Sequence, residues 1–388
     1  MLLLLFAATF HEDVLPVFER RCQACHRAGE IGPMPLTTYR EARPWAKAIR
    51  EQVLRGRMPP WFATAGGPFA NDPRLTEAEK RAIVSWAESG APAGPARPAR
   101  KWTPGWQIPP PDLVAAIPQP MSVPAAGAVE YQFFVIPLGH PEDRWVTHAE
   151  IRPGDRRAVH HAVAYVRERG DPWPGNGRRV TTSDILAVYT PGQPAFAAPP
   201  GMAKKVPAGA DLVLQIHYAA FGTAVRDRTR IGLKFASGPP RQRVLTLQLN
   251  NAEFRIAPGD RAARVSATGT LPADVTLLSL FPHMHLRGTG FAYEILGGEG
   301  RVETLLRVQP YDYFWQLDYR LAAPRLLRAG TRLRATGWYD NSRGNPRNPD
   351  PGAEVGYGEQ AWDEMMVGFF DVAVDPALDK KALFGLRR

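Results

Sequence analysis

Cysteine is nearly absent from this sequence of 388 residues, in which Cys22 and Cys25 are the only two. A disulfide framework is therefore excluded, and the folded chain must be held together by packing. Long hydrophobic runs are absent as well, because no stretch reaches the 18 or so apolar residues of a membrane-spanning helix. The apolar run Met1–Phe10 is shorter, and segment 1–11 is interpreted as the remnant of a signal peptide.

Acidic residues are the scarcer charges. The chain has 38 Asp and Glu against 48 Lys and Arg, which gives a net charge of +10. The positive residues are spread along the chain, and no nucleic-acid-binding module is recognisable, so no nucleic-acid partner is expected. The length allows roughly two or three hydrophobic cores.

Composition divides the chain into zones. Segment 12–92 has helical periodicity, and within it Thr76 and Glu79 form a capping box before a helix that Gly90 would end. Segment 93–127 is a Pro-rich linker. Segments 128–238 and 239–388 contain short β-type runs separated by turn residues, which is typical of β-sandwiches. The clearest runs are Tyr131–Ile136, Ala158–Val166, Asp211–Tyr218, Val275–Leu280 and Met365–Val372.

The two cysteines lie in one motif, Cys22-Gln-Ala-Cys25-His26, which is the attachment signature of a c-type haem. The thiols can bond the haem vinyl groups while His26 ligates the iron. A zinc site would need further ligands nearby, and His11 is the only other histidine before His140. The motif therefore predicts one covalent haem.

Segment 12–92 resembles the class I c-type cytochromes in its order of helix, motif, loop, helix, methionine loop and helix. The resemblance implies a cytochrome c domain in which the turn at Gly32-Pro33 orients His26. It also implies a methionine as sixth iron ligand. Met58 fits the expected order, and Met34, closer to the motif, is the alternative. A thioether ligand raises the haem potential, which suits electron transfer.

Seven histidines remain in the β-type zones. His283 and His285 would share one face of a strand and form a two-point chelate for a metal, because side-chain direction repeats every two residues. His160 and His161 are adjacent and would point to opposite faces unless the strand is distorted. The remaining three are His140, His148 and His217, and the two without partners, His140 and His148, are interpreted as structural.

Four stretches in order resemble the copper type II, ascorbate-dependent monooxygenases, the peptidylglycine and dopamine hydroxylase family. They are Val159-His160-His161-Ala162, Leu214-Gln215-Ile216-His217-Tyr218, Phe281-Pro282-His283-Met284-His285 and Trp362-Asp363-Glu364-Met365-Met366. The resemblance implies two jelly-roll-like sandwich domains, each holding one copper, that face one another across a solvent cleft. The predicted fold class is therefore multidomain, with a small all-α cytochrome c domain followed by two all-β jelly-roll-like sandwiches.

The resemblance also implies roles for individual residues of this chain. By resemblance, the electron-storing copper is held by His160, His161 and His217. The copper that binds dioxygen is held by the catalytic residues His283, His285 and Met365, with Met366 as the rival methionine. Imidazoles suit both copper oxidation states, while a thioether favours the reduced one.

One departure from the family concerns the substrate. The positions that hold the peptide in the peptide-processing enzyme are Phe281, Val367 and Phe369 here. An anionic peptide terminus would lose its charge-assisted partner, so a less polar substrate is expected.

The expected function is hydroxylation of a C–H bond of a small, weakly polar molecule with O2. The haem would relay electrons from an external donor to the coppers, outside the cytoplasm and in a bacterial periplasm by preference. The alternative is a non-catalytic electron-transfer or copper-binding protein. A zinc hydrolase is disfavoured, because a thioether is a poor zinc ligand.

Overall fold

The computed structural model describes residues 8–102, 105–170, 184–380 and 383. Most of the segment interpreted as a signal-peptide remnant, residues 1–7, lies outside the described residues. Among the described residues, no helix combines the length and the apolar character needed to cross a membrane. By its contacts the chain divides into two compact units: residues 1–61 with 72–105, and residues 62–71 with 106–388.

The first unit is helical. Its α-helices are α1 Leu15–Arg21, α2 Tyr39–Ala42, α3 Ala46–Leu54 and α4 Glu77–Glu88. A π-helical turn at Phe10–Val14 precedes α1, and a 3-10 turn at Arg43–Trp45 precedes α3. The predicted capping box is confirmed, since the Thr76 side chain accepts from the Glu79 N–H and the Glu79 side chain accepts from the Thr76 N–H. Gly90 follows α4 with a φ of 87°, as a C-terminal glycine does.

The second unit consists of β-strands. Their bounds are β1 Ala63–Gly66, β2 Leu113–Ala116, β3 Met121–Val123, β4 Gln132–Pro137, β5 Arg144–Arg152, β6 Val159–Arg167, β7 Asp184–Tyr189, β8 Phe196–Ala197, β9 Met202–Val206, β10 Asp211–Tyr218, β11 Val225–Asp227, β12 Arg230–Phe235, β13 Gln242–Asn250, β14 Arg255–Ile256, β15 Ala263–Thr270, β16 Val275–His283, β17 Gly288–Leu296, β18 Val302–Val308, β19 Tyr319–Leu327, β20 Arg332–Tyr339, β21 Val355–Gly356 and β22 Val367–Val374. A 3-10 turn at Gly298–Gly300 lies between β17 and β18.

Three sheets organise this unit. A nine-stranded sheet has the order β19-β16-β22-β13-β9-β5-β12-β2, with β8 pairing on β5. A four-stranded sheet, β4-β10-β6-β7, packs one face against it around a core that includes Ile151, Leu214 and Leu233. A five-stranded sheet has the order β1-β18-β17-β20-β15. From it, Tyr293 of β17 reaches β22 and donates a hydrogen bond to the Phe369 carbonyl at 2.8 Å. This layering is consistent with the predicted β-sandwiches.

The predicted all-α cytochrome c domain is wrong. The helices of segment 12–92 are short, and the segment leaves the helical unit at residue 62 to form β1, which pairs antiparallel with β18. Asn71 also joins this segment to the β-strands, because its side-chain amide donates a hydrogen bond to the Asp318 carbonyl at 2.6 Å. The sequence Ala-Thr-Ala-Gly has little intrinsic strand preference, so this pairing comes from tertiary context that no local pattern reveals.

Candidate metal centre

A bulge in strand β6 brings His160 and His161 to the same site. His217 of β10 lies opposite His161, but the next residue, Tyr218, lies opposite Val159. His160 is therefore the extra residue of a β-bulge, which locally changes side-chain direction. The bulge supplies the strand distortion that two adjacent histidine ligands require.

The three rings form a regular triangle. Each pair among His160, His161 and His217 has ring centroids 5.2 Å apart. The centre of that triangle is about 3.0 Å from each centroid, which is where an ion about 2.0 Å from each coordinating nitrogen would sit. The Nδ1 atoms of His160 and His161 are 3.0 Å apart, a spacing that suits two ligands of one ion. His160 Nε2 is buried without a hydrogen-bond partner.

Two buried tyrosines hold these rings in place. Tyr131 stacks on His217, with centroids 4.7 Å apart, and its hydroxyl lies 3.1 Å from His161 Nε2. Tyr313 stacks on His160 at 4.7 Å, and its hydroxyl lies 3.3 Å from His217 Nδ1. Each phenol thus fixes one ring by stacking and another by hydrogen bonding. Partners of this kind set the orientation and tautomer of metal-binding histidines.

The site keeps its imidazoles neutral. Burial lowers the pKa of His160 to about 3 and that of His217 to about 4, with the charge of neighbouring histidines acting in the same direction. Burial also lowers the pKa of His161 well below its ordinary value. Neutral imidazole is the form that binds a metal, so these residues are in their ligand form at neutral pH.

The second pair of histidines lies where β16 ends. His283 is the last residue of the strand and His285 lies beyond it, so the predicted single strand face is not what joins them. The chain turns after His283, yet the two rings are 5.2 Å apart. His283 Nδ1 lies 2.6 Å from Gln316 Oε1, and His285 Nδ1 lies 3.3 Å from the Asp363 carbonyl oxygen. Because each oxygen accepts a hydrogen bond from Nδ1–H, Nε2 is the nitrogen of each ring that keeps a free lone pair. His285 Nε2 is buried without a hydrogen-bond partner.

Of the two methionines proposed as ligands, Met365 is the better placed. It lines a cavity of about 70 Å³ together with His161 and His283. Met366 is fully buried in the protein core and does not line that cavity. Met365, unlike Met366, therefore lies at the cavity that His161 and His283 also line.

Glu364 fixes the loop that carries this pair. Its buried carboxyl group accepts hydrogen bonds from the backbone N–H of His285 at 2.9 Å and of Arg287 at 2.7 Å. Burial raises the pKa of Glu364 to about 8, while those backbone donors and the Arg287 charge act in the opposite direction. Glu364 thus ties the segment before Met365 to the histidine loop.

The two histidine sets adjoin one another. The rings of His161 and His283 have centroids 6.2 Å apart, and Tyr313 contacts both His160 and His285. The family resemblance implies sites that face one another across a solvent cleft, whereas here the two sets of rings are neighbours. In this structure the five histidines form one contiguous cluster, which includes the His160, His161 and His217 triangle.

The haem motif lies in the helical unit. His26 Nδ1 lies 3.1 Å from the carbonyl oxygen of Met34, so the acceptor is one residue beyond the predicted Gly32-Pro33 turn. If Nδ1 donates to this oxygen, Nε2 is the nitrogen of His26 that keeps a free lone pair. A Cβ on Gly32 would lie 2.7 Å from both the Cys25 carbonyl oxygen and His26 Nδ1, so glycine is required there. Burial lowers the pKa of His26, which keeps it in the neutral ligand form.

The methionines of this unit differ in their surroundings. Met34 packs its side chain against the hydrophobic core that contains Phe18 and Trp86. Met58 is half-buried in the segment after α3. Met58 as the sixth ligand stays a prediction.

Sequence reasoning missed the residues that support the cluster. Tyr131, Tyr313 and Gln316 lie outside the family-like stretches, and no local pattern marks them. Glu364 lies within the family-like stretch Trp362-Asp363-Glu364-Met365-Met366, and its position next to Met365 is the signal that could have marked it. The two histidines interpreted as structural have other neighbours: His140 contacts Phe235, and His148 contacts Thr147.

Comparison with known proteins gives no family. No family model matches the chain, and no curated protein matches it. Among solved structures, PNGF-II is 7% identical, with 68% of this chain and 65% of that chain covered and a TM-score of 0.31, so the match spans less than two thirds of PNGF-II. PNGase F, a glycosylasparaginase from Flavobacterium meningosepticum, is 10% identical, with 66% and 96% covered and a TM-score of 0.29. The infectious bursal disease virus Gt strain structure is 10% identical, with 73% and 75% covered and a TM-score of 0.20. These scores are too low to support any statement about function.

Proposed function

We propose that this protein is a copper-dependent monooxygenase that hydroxylates a C–H bond of a small, weakly polar molecule with O2. The observation that supports the proposal is the convergence of five histidines and one methionine, from distant parts of the chain, on one buried site. One substrate C–H bond, one O2, two electrons and two protons would give one alcohol and one water.

Each ligand set has a role in this proposal. His160, His161 and His217 would hold the copper that stores an electron. His283, His285 and Met365 would hold the second copper. Copper bound at these residues would supply the single-electron chemistry that reduces O2. The phenols of Tyr131 and Tyr313 would keep the imidazoles oriented.

The haem motif provides the electron entry in this proposal. Cys22 and Cys25 would attach one c-type haem, and His26, with Met58 opposite, would ligate its iron. Because the haem and the coppers would be bound to one polypeptide, the haem would be present at a high effective concentration for the copper sites. An external donor would reduce the haem, and haem attachment of this kind places the protein outside the cytoplasm, in a periplasm by preference.

Composition of the purified protein tests the proposal first. Protein produced with c-type haem maturation should contain one haem and two coppers per chain by absorbance and metal analysis. Rapid mixing of reduced haem protein with its oxidised coppers should show haem oxidation matched by copper reduction. Turnover with ¹⁸O2 should place the label in an alcohol product.

Variants separate this enzyme from a non-catalytic copper or electron carrier. Met365→Ile should abolish hydroxylation while haem content and most copper binding persist. Met366→Ile, the neighbouring core position, is the matched control and should retain activity. A protein that carries its metals but forms no labelled product with any substrate tested, in either variant or the parent, would be a carrier.

A further inference from the structure

A larger cavity lies beside the metal-site cavity within the β unit. Its volume is about 240 Å³. The two cavities share four lining residues, which are Ile185, Val188, Phe281 and Phe369. The other walls of the larger cavity are mainly apolar, with Phe196, Pro199 and Leu278 among them.

The charges in this cavity neutralise one another. Lys204 Nζ donates to the Ile185 carbonyl at 2.9 Å and to Thr246 Oγ1 at 3.0 Å, and it pairs with Asp371 at 3.4 Å. Arg320 donates to Asp318 Oδ2 at 2.9 Å. The cavity therefore has two cations and two anions, each already paired. An ionic ligand would break a pair or enter without a partner, and either is costly in a buried site.

The carboxylates of this cavity retain capacity to accept hydrogen bonds. Lys204 Nζ is engaged by the Ile185 carbonyl, Thr246 Oγ1 and the ion pair with Asp371, whereas carboxylate oxygens of Asp371 and Asp318 can each accept more than one hydrogen bond. A hydroxyl group on the ligand would therefore donate to this end of the cavity.

The volume limits the size of the ligand. An apolar cavity of about 150 Å³ holds benzene. A cavity of about 240 Å³ therefore has room for one six-membered ring with small substituents.

The wall between the cavities is aromatic. Phe281 and Phe369 are stacked, with centroids 6.1 Å apart, and Phe369 lies 6.3 Å from the His283 ring. A ligand with its hydroxyl at Asp371 would present its opposite end to this pair, on the side towards His283.

We propose that the larger cavity is the substrate pocket and that it takes a neutral, mainly apolar molecule of single-ring size with a hydroxyl group at one end. The statement that the ligand is a substrate rests on the proposed function, but the binding itself does not require a metal. Lys204, Asp371 and Asp318 set the preference for a neutral ligand, and the pair Phe281 and Phe369 separates it from the histidine cluster.

Three probes with one skeleton test the charge preference. Cyclohexylmethanol is neutral, cyclohexanecarboxylate is an anion and cyclohexylmethylamine is a cation at pH 7.5. Calorimetric titration of the full-length, metal-free chain should show saturable binding of cyclohexylmethanol, with both ions at least tenfold weaker. Equal affinities for the three, or no saturable binding of the alcohol, would overturn the inference.

Variants locate the binding. Val188→Trp places a large side chain at the wall that the two cavities share, and Leu278→Phe reduces the volume of the larger cavity by a smaller amount. Each should weaken cyclohexylmethanol binding at least tenfold. Val114→Trp, at an exposed position outside the cavity, is the matched control and should bind as the parent does. Unchanged binding in both cavity variants would overturn the inference.

A charge variant gives the sharpest result. Asp371→Asn leaves Lys204 without its anionic partner, so cyclohexanecarboxylate should gain affinity at least tenfold while the cation gains none. An unchanged affinity for cyclohexanecarboxylate would show that these charges do not face the ligand and would overturn the inference.

The two proposals fail separately. If the protein binds the probes with this selectivity but metal-loaded protein incorporates no ¹⁸O, the enzymatic function is contradicted and the pocket proposal stands. If Val188→Trp and Leu278→Phe leave hydroxylation unchanged, the pocket proposal is contradicted and the enzymatic function stands.

Discussion

At the scale of single residues, the phenols of Tyr131 and Tyr313 organise the three-histidine set. Tyr313→Phe removes the hydroxyl 3.3 Å from His217 Nδ1 but keeps the stacking on His160. Loss of such a partner should weaken copper binding roughly 10- to 100-fold. Competition with a Cu(I) chelator measures this in a His283→Ala background, which isolates the set. Tyr39→Phe, which removes a hydroxyl that donates to the Ala91 carbonyl, is the control and should leave copper affinity unchanged.

The thiol of Cys22 should react slowly with alkylating reagents in haem-free protein. Burial, with the nearby Cys25 as a second cause, raises the pKa of its thiol to about 12. A raised pKa favours the neutral thiol, so at pH 8 only about one molecule in ten thousand has the reactive thiolate. Alkylation of Cys22 in haem-free protein, followed by mass spectrometry, should accelerate about tenfold per pH unit up to about pH 12. Rapid, pH-independent labelling at pH 8 would contradict this.

At the scale of elements, Glu364 joins the loop after β16 to the segment before β22. Glu364→Ala leaves the N–H groups of His285 and Arg287 buried without acceptors, at a cost of about 1–3 kcal/mol each. The His283 and His285 loop should lose its geometry, so copper content should fall from two to one per chain. Glu303→Ala removes an exposed partner of Arg325 and should keep both coppers.

The pairing of β1 with β18 depends on one glycine. Gly66 has a φ of 91°, and a Cβ there would overlap the Leu305 carbonyl oxygen. Gly66→Ala should lower the free energy of unfolding by about 2 kcal/mol or more. Gly56→Ala is the matched control, because Gly56 also has a positive φ, 65°, but no neighbouring atom within 4 Å. Urea unfolding should show the smaller loss for Gly56→Ala, and equal losses would contradict the role of the strand contact.

These elements also show what the sequence can predict. Strand β10 has the bounds that its alternating pattern predicts, Asp211–Tyr218, and the capping box of α4 lies where Thr76 and Glu79 place it. Such features depend on neighbours along the chain. β1 and the bulge at His160 depend on partners far away in sequence, so local patterns could not reveal them. The ligand pairs were visible as pairs, whereas the tyrosines that orient them were not.

At the scale of the whole molecule, the nine-stranded sheet runs through both halves of the β unit. Parallel pairing of β9 with β13 joins the strands of residues 113–235 to those of residues 242–374. Calorimetry of the metal-free protein should therefore show one unfolding transition for this unit. Leu214→Ala, in the core of the first half, should cost about 2–5 kcal/mol and lower that same transition. Two transitions, of which Leu214→Ala shifts only one, would contradict shared cooperativity.

The position of β1 in the chain has a consequence for biosynthesis. Its partner strand is made roughly 240 residues later, which at ~5–20 residues per second is a delay of roughly 10–50 s. During that interval the Cys22–His26 segment already exists, while the stretch after Met58 has nothing to pair with. The residues before position 62 therefore exist, and can begin to fold, well before β1 acquires the strand with which it pairs.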